Sequence, residues 1–198
     1  IYTPLKRRTT LNTLVGAIPG ALPPLMGWTA ATGKFGPGGW ALFTILFFWQ
    51  LPHFMAIAWL YREDYARAGF RMLPVEDATG LRTGATAVRH TVALVAFSLS
   101  PVALGLAGVW YAGFALVGGV AFLACAIAFA RQMTRGTARR LFFASIVYLP
   151  MVLGALVADK SKISTSMANQ TPVTPTVEVT SPDAGKTSFR AVPTNRPE

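Results

Sequence analysis

Long apolar runs alternate with short charged segments along this chain. Apolar stretches occupy about 11–32, 39–60, 86–107, 112–130 and 141–158. Each approaches the roughly 20 residues that a helix needs to cross a bilayer. Backbone groups in lipid must be satisfied within the segment, so these runs are read as helices. The pattern therefore predicts an all-α fold, a polytopic transmembrane helix bundle of five spans. The third and fourth are separated by a short Gly/Trp/Tyr turn near 108–113. The first is interrupted by Pro19, Pro23 and Pro24, with Gly16, Gly20 and Gly27 among them. Glycines permit close helix approach, and prolines kink a helix or open its backbone. Either packing alone or a widened internal cavity accounts for that composition.

Composition supports the same class. The 198 residues are 53% hydrophobic and only 13% charged, against about 25% charged in a soluble domain. The net charge of +10 does not imply nucleic acid, because the cations fall between the apolar runs. Alternate loops at 1–10, 61–89 and 131–140 carry twelve of them, whereas the two intervening loops carry only Lys34. Positive loops stay on the inner side, so these segments are expected to face the cytoplasm, or the matrix in an organelle. A bacterial inner membrane is favoured, with a mitochondrial inner membrane as the alternative. Cys125, the single cysteine, excludes an intrachain disulfide and reads as a buried, inert thiol. Residues 159–198 are rich in Ser, Thr and Pro and are expected to form a disordered tail. The chain opens on Ile1 and a charged loop, not a signal peptide, and is expected to be a fragment or a chain processed upstream.

Chemistry concentrates between Trp49 and Pro74. Gln50 and His53 fall inside an apolar run, and Arg62, Glu63, Asp64 and Arg67 follow at its end. Polar groups in a membrane usually face a cavity or a partner helix. On a continuous helix His53, Ile57, Tyr61 and Asp64 share a face, with His53 roughly 16 Å below Asp64. The stretch then reads as the wall of a pocket with a charged mouth. Glu63, Asp64, Glu76 and Asp77 can offer oxygens to Mg²⁺, which often bridges to substrate phosphates. Local ion pairs in a solvated loop explain them equally well. Tyr2, Lys6, Arg7 and Arg8 can bind a phosphate-bearing group, although spacing alone favours a positive-inside anchor. His53 could ligate iron, donate a hydrogen bond or pair with another helix, and His90 could sit beside the same loop or mark the interface.

Taken in order, several segments carry a resemblance. They are YTPLKR at 2–7, Asn12, GAIPGALPPLMGWTAATG at 16–33, WQLPHF at 49–54, REDYARAGFRMLPV at 62–75, Arg89-His90 and RRLFFASIVYLP at 139–150. Together they are similar to the haem branch of the UbiA-type intramembrane prenyltransferases, the protoheme IX farnesyltransferases, over about 1–158. That resemblance implies nine membrane helices, of which this chain would supply the last five. It implies transfer of the farnesyl group of farnesyl diphosphate to a vinyl group of protoheme IX (haem B), with water added and diphosphate released. Mg²⁺ would accompany the diphosphate. Tyr2 and Lys6 match the family's YxxxK element, with Arg7 and Arg67 as further diphosphate contacts. Asp64 matches the second acidic element and would be catalytic, with Glu63 or Asp77 as other metal ligands. Haem A synthase or cytochrome oxidase assembly factors are the implied protein partners.

Two departures from the family pattern matter. The residue four after Asp64 is Ala68, not a second aspartate. The first acidic element, NxxxDxxxD-like, is absent from these 198 residues, so the chain alone is expected to be inactive. A quinone-type prenyltransferase of the same fold and a non-catalytic haem-binding membrane scaffold stand as alternatives.

Overall fold

The computed structural model describes residues 9–159. Its elements are α1 (Asn12–Thr32), α2 (Pro37–Leu60), α3 (Arg62–Arg67), α4 (Leu73–Glu76), α5 (Leu81–Ser98), α6 (Ser100–Ala103), α7 (Val109–Gln132) and α8 (Arg135–Ala158). Five helical stretches are long and apolar enough to cross a membrane, with α5 and α6 counted as one. The all-helical, five-span architecture expected from the apolar runs is present. α2, α5, α7 and α8 pack as a ring, each against the next, and α1 leans on the outside of α2.

Several boundaries differ from the hydropathy reading. α5 begins at Leu81, five residues before the expected start, because a polar cap offsets its basic first turns. The Asp77 carboxylate accepts the Thr83 backbone N–H at 2.7 Å and the Thr83 hydroxyl at 2.9 Å. α8 begins at Arg135, although Arg139 and Arg140 read as loop. Thr134 and Thr137 form a reciprocal capping box there. Met133 closes α7 in the left-handed region at φ 47°, so α7 and α8 are joined by a turn of Met133 and Thr134. The expected continuous helix through Asp64 is broken at Tyr61, whose φ and ψ of −111° and 24° are not helical. His53 and Asp64 therefore do not share one helix.

α1 remains one helix despite its three internal prolines. The Gln50 side-chain amide, buried in α2, donates to the Ala17 carbonyl of α1 at 2.7 Å. A Cβ on Gly20 would lie 2.5 Å from Gln50 Oε1, so the glycine makes room for this tie. α5 and α7 approach backbone to backbone, since a Cβ on Gly84 would lie 2.7 Å from the Ala130 Cα. Small residues at such crossings let dispersion contacts accumulate without a hydrophobic driving force between helices.

The basic end and the opposite end are held by different chemistry. At the basic end, buried Asn12 donates to the Thr9 and Arg71 carbonyls at 2.7 and 2.9 Å, which fastens the start of α1 to the segment between α3 and α4. At the opposite end Ser98 joins three helices. Its hydroxyl bonds the Leu94 carbonyl and lies 2.7 Å from the Tyr148 hydroxyl of α8. Its carbonyl accepts the Tyr111 hydroxyl of α7 at 2.7 Å. Asp159, expected in the tail, caps α8 and accepts the Tyr111 backbone N–H at 2.7 Å. Among the described residues no buried side-chain polar atom lacks a hydrogen-bond partner. Cys125 is a half-buried free thiol packed against the core.

Candidate functional site

The seam between α2 and α8 holds His53, one of the two polar residues of the apolar run; the other, Gln50, faces α1. His53 is half-buried. Its ring stacks between Trp49, at 4.9 Å, and Phe142, at 5.1 Å between centroids. His53 Nδ1 lies 2.7 Å from the Ser145 hydroxyl, and that hydroxyl donates to the Phe142 carbonyl at 2.5 Å. A serine hydroxyl has a single proton. With it given to Phe142, the oxygen accepts from His53, so Nδ1 carries the imidazole proton and Nε2 keeps a lone pair. Trp49 adds a bond from its indole N–H to the Ser145 carbonyl at 2.7 Å. His53 is thus held by both faces and one edge.

Two cavities open where α2 ends and α8 begins. A cavity of about 440 Å³ is lined by Leu60, Tyr61, Arg135, Arg139, Phe142 and Phe143. A smaller one of about 140 Å³ is lined by Trp59, Leu60, Arg62, Glu63, Met133 and Arg135. Leu60 and Arg135 belong to both, and Arg135 donates to the Leu60 carbonyl at 3.3 Å. The Arg62 guanidinium sits 4.7 Å over the Trp59 ring. This orients it by a cation–π contact instead of an ion pair.

Asp64 and Arg67, both on α3, form an exposed ion pair at 2.5 Å. Glu63 lies beside Asp64 and lines the smaller cavity. Asp77 is drawn into the start of α5. Burial pushes its carboxyl up, but hydrogen bonds from the Thr83 backbone and hydroxyl, the Thr79 hydroxyl and the Arg82 backbone outweigh this and hold it below its usual range. Among the described residues no three His, Cys, Asp or Glu side chains converge as a metal cluster. Two carboxylate pairs are neighbours in sequence, Glu63–Asp64 and Glu76–Asp77. His90, expected at the inner end of its helix, lies well inside α5 because that helix starts at Leu81. Its Nδ1 donates to the Thr86 carbonyl at 2.7 Å. Tyr2, Lys6, Arg7 and Arg8 lie outside the described residues.

Ser145, Arg135 and Arg139 are not among the site residues expected from the sequence, where the two arginines count only as loop cations. The signal was their spacing with Phe142. Positions 135, 139, 142 and 145 follow the i, i+4, i+3 rule for one helical face. That spacing becomes visible only once α8 is known to reach back to Arg135.

Fold and site together define a multi-pass membrane helix bundle with one charged end, from which polar and aromatic side chains continue into the apolar interior. The profile of the UbiA prenyltransferase family matches residues 1–147, and the chain belongs to that family. It is 51% identical over 160 residues to the protoheme IX farnesyltransferase of Opitutus terrae, covering 80% of this chain and 54% of that protein. Its identity to the protein of that name from Salinibacter ruber is 48% over 160 residues, covering 80% and 56%. To the mitochondrial protoheme IX farnesyltransferase of Arabidopsis thaliana it is 39% over 160 residues, covering 81% and 37%. The chain spans about half the length of the bacterial relatives that it matches. No solved structure matches it.

Proposed function

We propose that this chain is part of a protoheme IX farnesyltransferase, which transfers the farnesyl group of farnesyl diphosphate to a vinyl group of haem B and gives haem O. The observation that carries the reading is the 160-residue match, at 51% identity, to a relative of that name. The bundle geometry agrees with it. An apolar interior shelters an allylic cation, while the charged end suits a diphosphate. The allylic C–O bond breaks with its electron pair leaving on diphosphate. The vinyl carbon then bonds the allylic carbon, and water adds to the resulting cation with loss of a proton.

Asp64 is the proposed catalytic carboxylate, with Arg67 steadying it and the diphosphate in turn. Glu63 and Asp64 are the carboxylates that would hold a Mg²⁺ ion arriving with the diphosphate, a hard ion that takes oxygen ligands and is bound through one or two carboxylates plus substrate phosphates. When bound, that ion offsets the charge developing on the leaving group. Asp77 is the weaker ligand, because its oxygens already serve α5. Tyr2, Lys6 and Arg7 are proposed diphosphate contacts. His53 offers Nε2 toward haem, whereas His90 is spent in part on its own helix. The basic end is assigned to the cytoplasmic or matrix side of an inner membrane, with haem A synthase or oxidase assembly factors as recipients of the product.

Asp64→Asn in the full-length protein tests the reading. Haem O formation should fall at least about 100-fold, since a charge-stabilising group of this kind is worth several kcal/mol in the transition state. Haem binding should persist. Undiminished turnover would move the metal elsewhere, and binding without any turnover in the wild type would favour a haem-binding scaffold.

A further inference from the structure

The cavity of about 440 Å³ between the basic ends of α2 and α8 has a makeup that the diphosphate reaction does not require. Two guanidiniums, Arg135 and Arg139, stand one helical turn apart on α8. Neither has a carboxylate partner among the described ion pairs. The helix dipole disfavours a cation in the first turn, so Arg135 gains nothing there from its own helix. Its hydrogen bond to Leu60 uses one donor of five. Beside the arginines the walls are aromatic: Tyr61, Phe142 and Phe143. Phe142 lines this cavity, and its ring also stacks on His53.

We propose that this cavity receives the propionate-bearing edge of the porphyrin, with Arg135 and Arg139 each pairing one propionate. The inference rests on the haem reading above and gives that substrate a location. Charge complementarity selects the occupant. Planar guanidiniums match carboxylates through paired N–H donors, and a flat macrocycle suits aromatic walls. A cavity of this size holds an edge of the porphyrin, not the whole ring. Spacing along α8 agrees. From Arg139 to Ser145 the helix rises about 9 Å, comparable to the reach from a porphyrin centre to its propionates. Macrocycle chemistry would thus lie near the level of His53, while the carboxylates stay at the charged end. The Asp64–Arg67 pair, on α3, is left for the diphosphate.

The test compares protohaem with its dimethyl ester on the full-length protein in nanodiscs, by Soret titration. In the wild type, esterification should weaken binding at least about 10-fold. Arg135→Gln/Arg139→Gln should weaken protohaem binding by a similar factor and leave no further loss on esterification. Arg131→Gln/Arg140→Gln removes the same charge from residues outside both cavities and should preserve the ester discrimination. The KM for haem should rise in the first double variant, with the KM for farnesyl diphosphate unchanged. Independent, multiplying losses would overturn the proposal. So would an effect confined to farnesyl diphosphate, which would make the cavity a diphosphate or lipid-headgroup site. A wild-type protein that binds neither porphyrin and makes no haem O would instead overturn the functional reading.

Discussion

His53 and Ser145 are joined across the α2–α8 seam at 2.7 Å, and the serine hydroxyl donates its hydrogen bond to the Phe142 carbonyl. This chain of donors sets which imidazole nitrogen is protonated. It leaves Nε2 able to accept a proton or to meet a metal. Ser145→Ala should remove that bias and allow the Nε2–H tautomer to appear. In the full-length protein labelled with ¹⁵N-histidine, the wild type should show His53 protonated at Nδ1, and the alanine variant a mixture. Ser145→Thr, which restores the hydroxyl, should recover the original pattern. An Nε2–H signal in the wild type would contradict the assignment.

Asp77 is predicted to stabilise the start of α5. Replacing it by Asn removes a charged acceptor of the Thr83 N–H and should cost about 1.5–3 kcal/mol, the range for hydrogen bonds to ionised groups. The sign of the pH dependence follows from its lowered pKa. Its contribution is fully present above the ordinary carboxylate value of 3.8 and is lost as pH falls through the lower, folded value. Thermal unfolding between neutral pH and pH 3 should therefore show wild type and Asp77→Asn converging in acid. The Mg²⁺ dependence of turnover should be the same in both. A selective rise in the Mg²⁺ requirement would return Asp77 to the metal.

Gly84 is predicted to be intolerant of any side chain. An alanine methyl would meet the Ala130 Cα at 2.7 Å and its Cβ at 2.9 Å, and backbone cannot swing aside as a side-chain tip can. Overpacking of this kind costs about 1–3 kcal/mol. Gly113, with nothing within 4 Å of an added Cβ, is the control. Alanine there should be neutral, or stabilising by up to about 1 kcal/mol through helix propensity. Equal thermal midpoints for the two variants would refute the close α5–α7 contact.

The five spans were legible because length and apolarity suffice to define a membrane helix. Their basic ends were not. Arg82, Arg139 and Arg140 read as loop, although the Asp77 and Thr134 caps carry helix through or up to those residues. Gln50 and His53 were correctly singled out as polar groups that needed a partner. Sequence could not name those partners. Gln50 bonds Ala17, 33 positions away, and His53 bonds Ser145, 92 positions away. The face shared by His53 and Asp64 failed for a local reason, the non-helical Tyr61. Glu63, Asp64 and Asp77 looked alike as carboxylates. Tertiary structure separates them, because Asp77 alone is buried and engaged by threonines.

The node at Ser98 makes α8 a lever. Tyr148 is pinned to it, and Arg135 lies thirteen residues nearer the charged end, about 20 Å along the axis. A rotation of about 10° around that pin would displace Arg135 by about 3 Å, given this arm length. The separation of the arginines from α2, and with it the width of the opening beneath them, therefore depends on a contact more than about three helical turns away, relayed past the Ser145 tie to α2. A methyl-sized change at Ser98 or Tyr148, neither of which lines the opening, should change its width.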